Sequence, residues 1–309
     1  MPETFPRLAT PTPSRAPAAQ SARPAYPAQP LERLDQLWIQ VAGSRCNLAC
    51  THCFVTCGPE ESRHEMMSRE EVRARVAEGL ALGVKEVYFT GGEPFLHPEM
   101  IEILADTLAL APCTVLTNGT LFTSRRLDDL VRLSDASRHS LEIRVSLDGV
   151  DAARHDSIRG AGNFERTLEG VRRLCEQGLL PIVTATETGD EDPSRYRERL
   201  LALLRARGVP RPRLKLLPLF RLGRERNRTR PYEAAESLAG VPASAIEPGR
   251  LQCGSCRAVT SRGVYVCPLL VDEPDGRMGE TLVSALGPYE LRHGACLTCY
   301  VTGMTCGNG

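Results

Sequence analysis

Lysine is nearly absent from this 309-residue chain, which carries 2 Lys against 36 Arg, and its 38 basic side chains are balanced by 38 acidic ones. Without an excess of either sign there is no global electrostatic footprint for nucleic acid or for an anionic membrane surface; the arginine bias reads as genomic rather than functional. No apolar run approaches the ~18 residues that a membrane span requires. The N-terminus lacks the apolar stretch of a secretory signal, so the expected location is cytoplasmic.

The twelve cysteines therefore do not read as a disulfide framework, because cytosolic reductants keep thiols reduced. Metal is the better reading. Four of them, Cys46, Cys50, Cys53 and Cys57, fall in one short segment, and six, Cys253, Cys256, Cys267, Cys296, Cys299 and Cys306, fall in the last 57 residues. Two metal regions separated by a scaffold are implied. Cys113, at the start of a strand pattern, and Cys175, in a helical one, read as small buried hydrophobes.

Residues 1–30 hold eight prolines and seven alanines with almost no apolar periodicity, and are expected to form a disordered tail. From residue 31 to 225, β-rich runs at 37–41, 86–90, 113–117, 141–147, 181–187 and 213–219 alternate with helical patterns. Ser68 and Glu71 form a capping-box signature ahead of Val72, Val76 and Leu80, with Gly83 as the stop. Pro98 opens a second helical stretch, and Asn163 is expected to cap a third that ends before Gly178. Such alternation makes an α/β fold with a parallel sheet, either open or curled into a partial barrel, and puts functional groups on loops at the C-terminal strand ends. Residues 226–309 are cysteine-dense and punctuated by Pro and Gly, and form the expected second domain.

Cys46, Cys50 and Cys53 have the spacing C-x-x-x-C-x-x-C directly after the first strand. Three thiolates on a tight loop can hold three irons of a cubane and leave the fourth free to bind something else. A closed zinc knuckle with Cys57 as fourth ligand has compatible spacing but no open position. His52, between two of the cysteines, reads as a loop residue.

At these residues the chain resembles the radical S-adenosylmethionine (SAM) enzymes. CNLACTHCF (46–54) matches their cluster loop position by position, and TGGEPFLHPE (90–99), LTNGT (116–120), VSLDG (145–149) and RGAGNFERTL (159–168) follow in the family's order. The resemblance implies a partial (β/α)6 barrel in which the open iron of a 4Fe-4S cluster chelates SAM, a reduced cluster cleaves the sulfonium, and a 5′-deoxyadenosyl radical takes a substrate hydrogen. It further implies an external one-electron donor such as flavodoxin or ferredoxin. Cys57 is left out of the ligand set, since a fourth thiolate would block the open iron.

The resemblance also assigns roles around SAM. Gly91 and Gly92 permit close backbone approach, Glu93 offers an acceptor for the ammonium, and Pro94 stiffens the turn. Ser146 serves a carboxylate or ribose hydroxyl, Arg159 the methionine carboxylate, Phe54 the adenine, and Asn118 the cofactor from its Asn-Gly turn. The general acid or base is not assigned by motif; Glu187, at the C-terminal end of the fifth strand, is a candidate by position only.

The C-terminal cysteines resemble the SPASM or twitch extensions that carry auxiliary 4Fe-4S clusters, with SRGVYVCP (261–268) as the hairpin and CLTCYVTGMTCGNG (296–309) as the terminal run. Six thiolates cannot fully ligate two cubanes. One fully ligated cluster with spare cysteines, or two with an open or non-cysteine ligand, both fit; the favoured arrangement is one cluster on Cys267, Cys296 and Cys299 with Cys253 or Cys256 as fourth ligand and Cys306 a further candidate, and structural zinc is the alternative. The function expected is an oxidative or bond-forming modification of a small molecule, because an auxiliary cluster can accept an electron from a substrate radical. Two alternatives stand: modification of a ribosomal peptide or protein, and a non-catalytic iron-sulfur scaffold or sensor. No nucleic-acid or membrane partner is expected.

Overall fold

The computed structural model of the protein describes residues 25–303 apart from positions 190 and 248, together with 306 and 307. Strands β1 (Ala28–Gln29), β2 (Gln36–Gln40), β3 (Glu86–Thr90), β4 (Cys113–Thr117), β5 (Leu141–Ser146), β6 (Ile182–Thr186) and β7 (Arg213–Leu217) precede β8 (Cys256–Thr260), β9 (Gly263–Tyr265), β10 (Arg277–Gly279) and β11 (Tyr289–Glu290). The helices are α1 (Arg69–Ala81), α2 (Met100–Leu108), α3 (Ser124–Ala136), α4 (Ala152–Arg159), α5 (Asn163–Glu176), α6 (Pro193–Ala206), α7 (Gly223–Arg228) and α8 (Gly294–Thr302). None of the described helices is long and apolar enough to cross a membrane.

Strands β2 to β7 pair in parallel and strictly in chain order. Alternation along each strand sends Leu37, Ile39, Val87, Phe89, Val115, Ile143, Val145 and Val183 into one core with Val72, Val76, Leu104, Leu127, Leu168 and Leu200 from the helices. Helices thus cover a single face, and the opposite face, with Trp38 stacked on Tyr88 at 4.2 Å, turns inward. A parallel sheet covered on one face by its own crossovers curls around the other, which selects the partial barrel over the open sheet.

The capping box of α1 forms, with Ser68 and Glu71 exchanging hydrogen bonds. Asn163 does not cap α5. Gly162 holds that position with positive φ, and Asn163 Nδ2 instead donates to the carbonyls of Arg159 and Gly160, both at 3.0 Å. Helices α3, α4 and α6 were not signalled.

Two expectations on domain organisation are corrected. Within the stretch expected as a tail over 1–30, Ala28–Gln29 pairs antiparallel with Tyr289–Glu290, and Gln29 is buried, because the backbone groups of β11 find their partner there. Residues 1–24 lie outside the described residues. Nor does the cysteine-rich region stand apart. Its β8 adds in parallel to β2, and β9 and β10 extend the same sheet by antiparallel pairing. A barrel of six strands that does not close leaves the β2 edge with unpaired N–H and C=O groups, and β8 satisfies them.

Candidate functional site

The loop after β2 carries Cys46, Cys50 and Cys53 onto one wall of the barrel's main cavity, at the C-terminal strand ends. Each sulfur faces an N–H donor. Cys46 Sγ accepts from Leu48 N at 3.4 Å and Asn118 Nδ2 at 3.8 Å, Cys50 Sγ lies 4.0 Å from Arg159 Nη1, and Cys53 Sγ accepts from Cys57 N at 3.2 Å. Burial pushes the Cys46 thiol up to about 12, partly offset by Leu48 N–H, and raises Cys50 against the pull of Arg159. Cys53 is held below its ordinary value, first by the Cys57 thiol that donates to it. Cys57 is thus a buried neighbour of the three-cysteine set.

The loop is braced from three sides. Thr51 N donates to Ile158 O of α4, Arg224 N of α7 donates to Cys53 O, and the Arg224 guanidinium reaches the carbonyls of Cys50 and Cys57. The third brace is the turn after β3, where Gly92 N donates to Gly43 O and Glu93 N to Arg45 O, both at 2.9 Å. A Cβ on Gly92 would stand 1.9 Å from Arg45 O, and Gly91 has φ of +130°, so only two glycines let this turn lie flat on the cysteine loop.

Glu93 is not where its expected role would put it. Its side chain is fully buried and off the cavity wall, with Oε1 accepting from Phe95 N (3.1 Å) and Thr117 Oγ1 (2.7 Å) and Oε2 from Asn118 N (2.8 Å). A carboxylate so engaged ties the β3 and β4 turns together rather than receiving an ammonium group directly. Asn118 does line the cavity, but its amide is spent on Asn47 Oδ1 and the Cys46 sulfur.

Phe54, Gly91, Gly92, Ser146 and Arg159 line the same cavity. Arg159 closes α4, and its Nε donates to Asp148 Oδ2 at 2.6 Å, the oxygen that also meets His52 Nε2 at 2.8 Å; Thr186 N holds Asp148 Oδ1 at 2.7 Å. Burial alone would raise Asp148, but Arg159 and His52 hold its carboxyl well below the usual range. Burial likewise works against the Arg159 charge, and Asp148 outweighs it. The guanidinium is fixed and charged, with Nη1 toward Cys50. Glu187 is corrected as a candidate: it is not among the cavity-lining residues, and its backbone N–H simply continues the β6–β7 pairing to Leu217 O.

A second, smaller pocket gathers Cys253, Cys267, Cys296 and Cys299. Cys253 lies in a 3-10 turn, Cys267 follows β9, and Cys296 and Cys299 share a face of α8 at a spacing of three. Burial raises all four thiols, Cys253 to about 11 and Cys296 to about 12. The other two expected ligands, Cys256 and Cys306, stand near Cys267 and Cys299 but do not line this pocket. Cys256 opens β8 and donates toward Val266 O at 3.8 Å, and Cys306 lines the barrel cavity instead.

Among the described residues no three His, Cys, Asp or Glu side chains stand close enough to hold a single metal ion. A four-iron cluster spaces its thiolates more widely, and the N–H donors on every sulfur of the first loop suit thiolate ligands, whose charge such bonds stabilise. The first loop therefore fits a cubane.

Residues 41–204, more than half of the chain, match the Radical SAM superfamily. The chain belongs to the radical SAM superfamily. It is 33% identical over 146 residues to a probable GTP 3′,8-cyclase of Methanosarcina mazei, covering 45% of this chain and 41% of that protein. It is 34% identical over 138 residues to the antilisterial bacteriocin subtilosin biosynthesis protein AlbA of Bacillus subtilis, covering 44% and 30%. The chain thus spans less than half the length of these relatives. In fold it is similar to Streptococcus suis SuiB bound to S-adenosylmethionine, with a TM-score of 0.63, 16% identity, and coverage of 82% of this chain and 64% of that one.

For a radical SAM chain, the sequence reading missed four residues of the site. Asp148 lies inside VSLDG, so the signal was present but its partner eleven residues on was not visible. Asn47 lies within the cysteine loop. Arg144 and Arg224 carried no signal, being two of 36 arginines.

Proposed function

We propose that this chain is a radical SAM enzyme that binds a 4Fe-4S cluster on Cys46, Cys50 and Cys53, cleaves SAM reductively, and modifies a small-molecule substrate oxidatively or by bond formation. The observation that carries the reading is that three N–H-bonded thiols, the Gly91–Gly92 backbone, Ser146 and the Asp148-fixed Arg159 all face one cavity. When bound, the cluster supplies the electron that cleaves SAM to a 5′-deoxyadenosyl radical. Arg159 presents a positive charge to the methionine carboxylate, Ser146 a hydroxyl, and the Gly91–Gly92 turn an unshielded backbone. Phe54 offers a flat apolar face for adenine. Leu48, Val55, Leu217, Leu219 and Leu269 keep water from the radical.

Cys253, Cys267, Cys296 and Cys299 hold an auxiliary 4Fe-4S cluster, with Cys253 rather than Cys256 as fourth ligand. A one-electron donor such as flavodoxin or ferredoxin serves the first cluster. A peptide substrate is the second reading, supported by relatives: SuiB has been solved bound to the precursor peptide SuiA, and AlbA is named for bacteriocin biosynthesis. Anaerobic incubation of reconstituted protein with SAM and dithionite tests the activity; it should release 5′-deoxyadenosine, and a cluster carrier would release none.

A further inference from the structure

Below the SAM-facing rim, the inner wall of the barrel holds a buried cation with unused donors. Arg144 on β5 is 1% exposed, and of its guanidinium only Nη1 has a partner, the carbonyl of Cys306. Nε and Nη2 are buried without any hydrogen bond. Those two nitrogens form one edge of the guanidinium fork, the edge whose parallel N–H groups match two oxygens of a carboxylate. No carboxylate among the described residues lies within ion-pair distance of Arg144; Glu142 is taken by Arg213 at 2.8 Å, and Glu86 accepts from Tyr88 Oη and Thr114 Oγ1. Leaving buried donors unpaired is costly, and a ligand with two oxygens would remove that cost.

The neighbouring strands add to the same wall. Thr184 on β6, whose buried hydroxyl has no partner, is in register with Ser146 of β5 and with Lys215 of β7. Lys215 Nζ donates to the carbonyl of Gly307, and it is one of two lysines in the chain. Arg144 and Thr184 line the cavity that also holds Cys46, Cys50 and Arg159. Since Arg144 precedes Ser146 by two strand residues, its Cα lies roughly 6–7 Å deeper than the rim. It is therefore a different anion locus from Arg159.

We propose that the substrate carries a carboxylate, which docks in the barrel on the free Nε/Nη2 edge of Arg144, with the Thr184 hydroxyl, one side-chain level nearer the rim, as a second donor and the Lys215 charge nearby. The proposal rests on the reading above only in taking the inner cavity as the substrate side. A carboxylate is favoured over a phosphate ester or polyphosphate by the number and geometry of the unused donors. One guanidinium edge with two parallel N–H groups and one unpartnered hydroxyl, that of Thr184, match the two oxygens of a carboxylate and fall short of what a phosphoryl group's oxygens need, beside the apolar side chains of Trp38, Leu116, Leu217 and Leu269.

The test is a binding titration that requires no turnover. Phenylacetate, its neutral isostere phenylacetamide, and inorganic phosphate are titrated into anaerobic cluster-loaded protein with and without SAM. Calorimetry is the readout, together with the fluorescence of Trp38, the single tryptophan, which lines this cavity. Phenylacetate should bind at least tenfold more tightly than phenylacetamide and perturb Trp38. Arg144→Met should abolish that preference, Arg144→Lys should retain part of it, and Lys215→Met should weaken it less than Arg144→Met. No preference in wild type, or a preference unchanged in Arg144→Met, overturns the proposal; phosphate binding more tightly than phenylacetate, and lost in Arg144→Met, overturns the carboxylate in favour of a phosphoryl group. If Arg144→Met does not fold, the wild-type comparison and Arg144→Lys decide. Failure of SAM cleavage is read separately from 5′-deoxyadenosine, so the two proposals fail independently.

Discussion

Cys46, Cys50 and Cys53 come from eight consecutive residues, whereas Cys253, Cys267, Cys296 and Cys299 are drawn from three segments spread over 47. The first group sits on a loop whose backbone is held by β3, α4 and α7 without reference to any metal. Both sets are buried in apolar clusters, but the second takes its place from packing, with Cys253 and Cys296 beside Leu251, Val266, Leu270, Tyr289 and Leu291. A site braced by a scaffold keeps its shape when the metal leaves. One whose ligands are also its packing depends on the metal for folding energy. The two regions should therefore answer differently to loss of ligands.

The largest effect is expected from Cys46→Ala, Cys50→Ala and Cys53→Ala together. 5′-Deoxyadenosine formation should fall to background while the C-terminal iron stays, as read by iron and sulfide per chain. Undiminished cleavage by the soluble variant would refute the assignment of this loop to SAM chemistry. Next comes Cys296→Ala with Cys299→Ala, which should lose roughly half of the bound iron, one of two cubanes, and loosen residues 226–303 in hydrogen exchange while SAM cleavage continues. Equal loosening of both regions would end the contrast drawn here. Zinc in the anaerobically isolated protein would remove the electron-accepting role of the second region.

Within the first region, Asp148→Asn should destabilise the protein by about 3–5 kcal/mol in chemical denaturation, the scale for stripping one partner from a buried ion pair. An effect near zero would mean that Arg159 does not depend on it. Arg159→Ala should weaken SAM binding by about 1.5–3 kcal/mol, the scale of a charge-assisted hydrogen bond, with the first cluster retained; calorimetric titration with SAM checks it, and wild-type affinity would leave Arg159 as a partner of Asp148 alone. The smallest effect belongs to Cys57→Ala, which removes a hydrogen-bond donor from Cys53. It should leave the iron of the first site unchanged, and loss of that iron would make Cys57 a ligand.

Much of the first region was legible because its information is local. The six strand patterns match β2 to β7, and the cysteine loop, the Gly91–Gly92 turn, Asn118 and Ser146 all lie at or just after C-terminal strand ends, where a parallel fold collects its loops on one side. The errors are also physical. Glu93 was expected at the ligand, yet a buried carboxylate takes the nearest backbone donors, which β3 and β4 bring to it only on folding. Asn163 was expected as a cap, but glycine at 162 already supplies the turn. Residues 28–30 were assigned to the tail because a two-residue strand has no periodicity to detect; its partner lies about 260 residues away.

By itself the sequence determined the parallel α/β order, the three-cysteine loop and the existence of a second cysteine region, since each depends on spacings of a few residues. Only the tertiary structure decided that Cys253, Cys267, Cys296 and Cys299 line one pocket, that β8 joins the barrel sheet, that Asp148 holds Arg159, and that Arg144 keeps an unused fork inside the barrel. Those are contacts between residues far apart in the chain or facing one lumen, and spacing along the chain carries no record of which side chains a curled sheet turns toward one another.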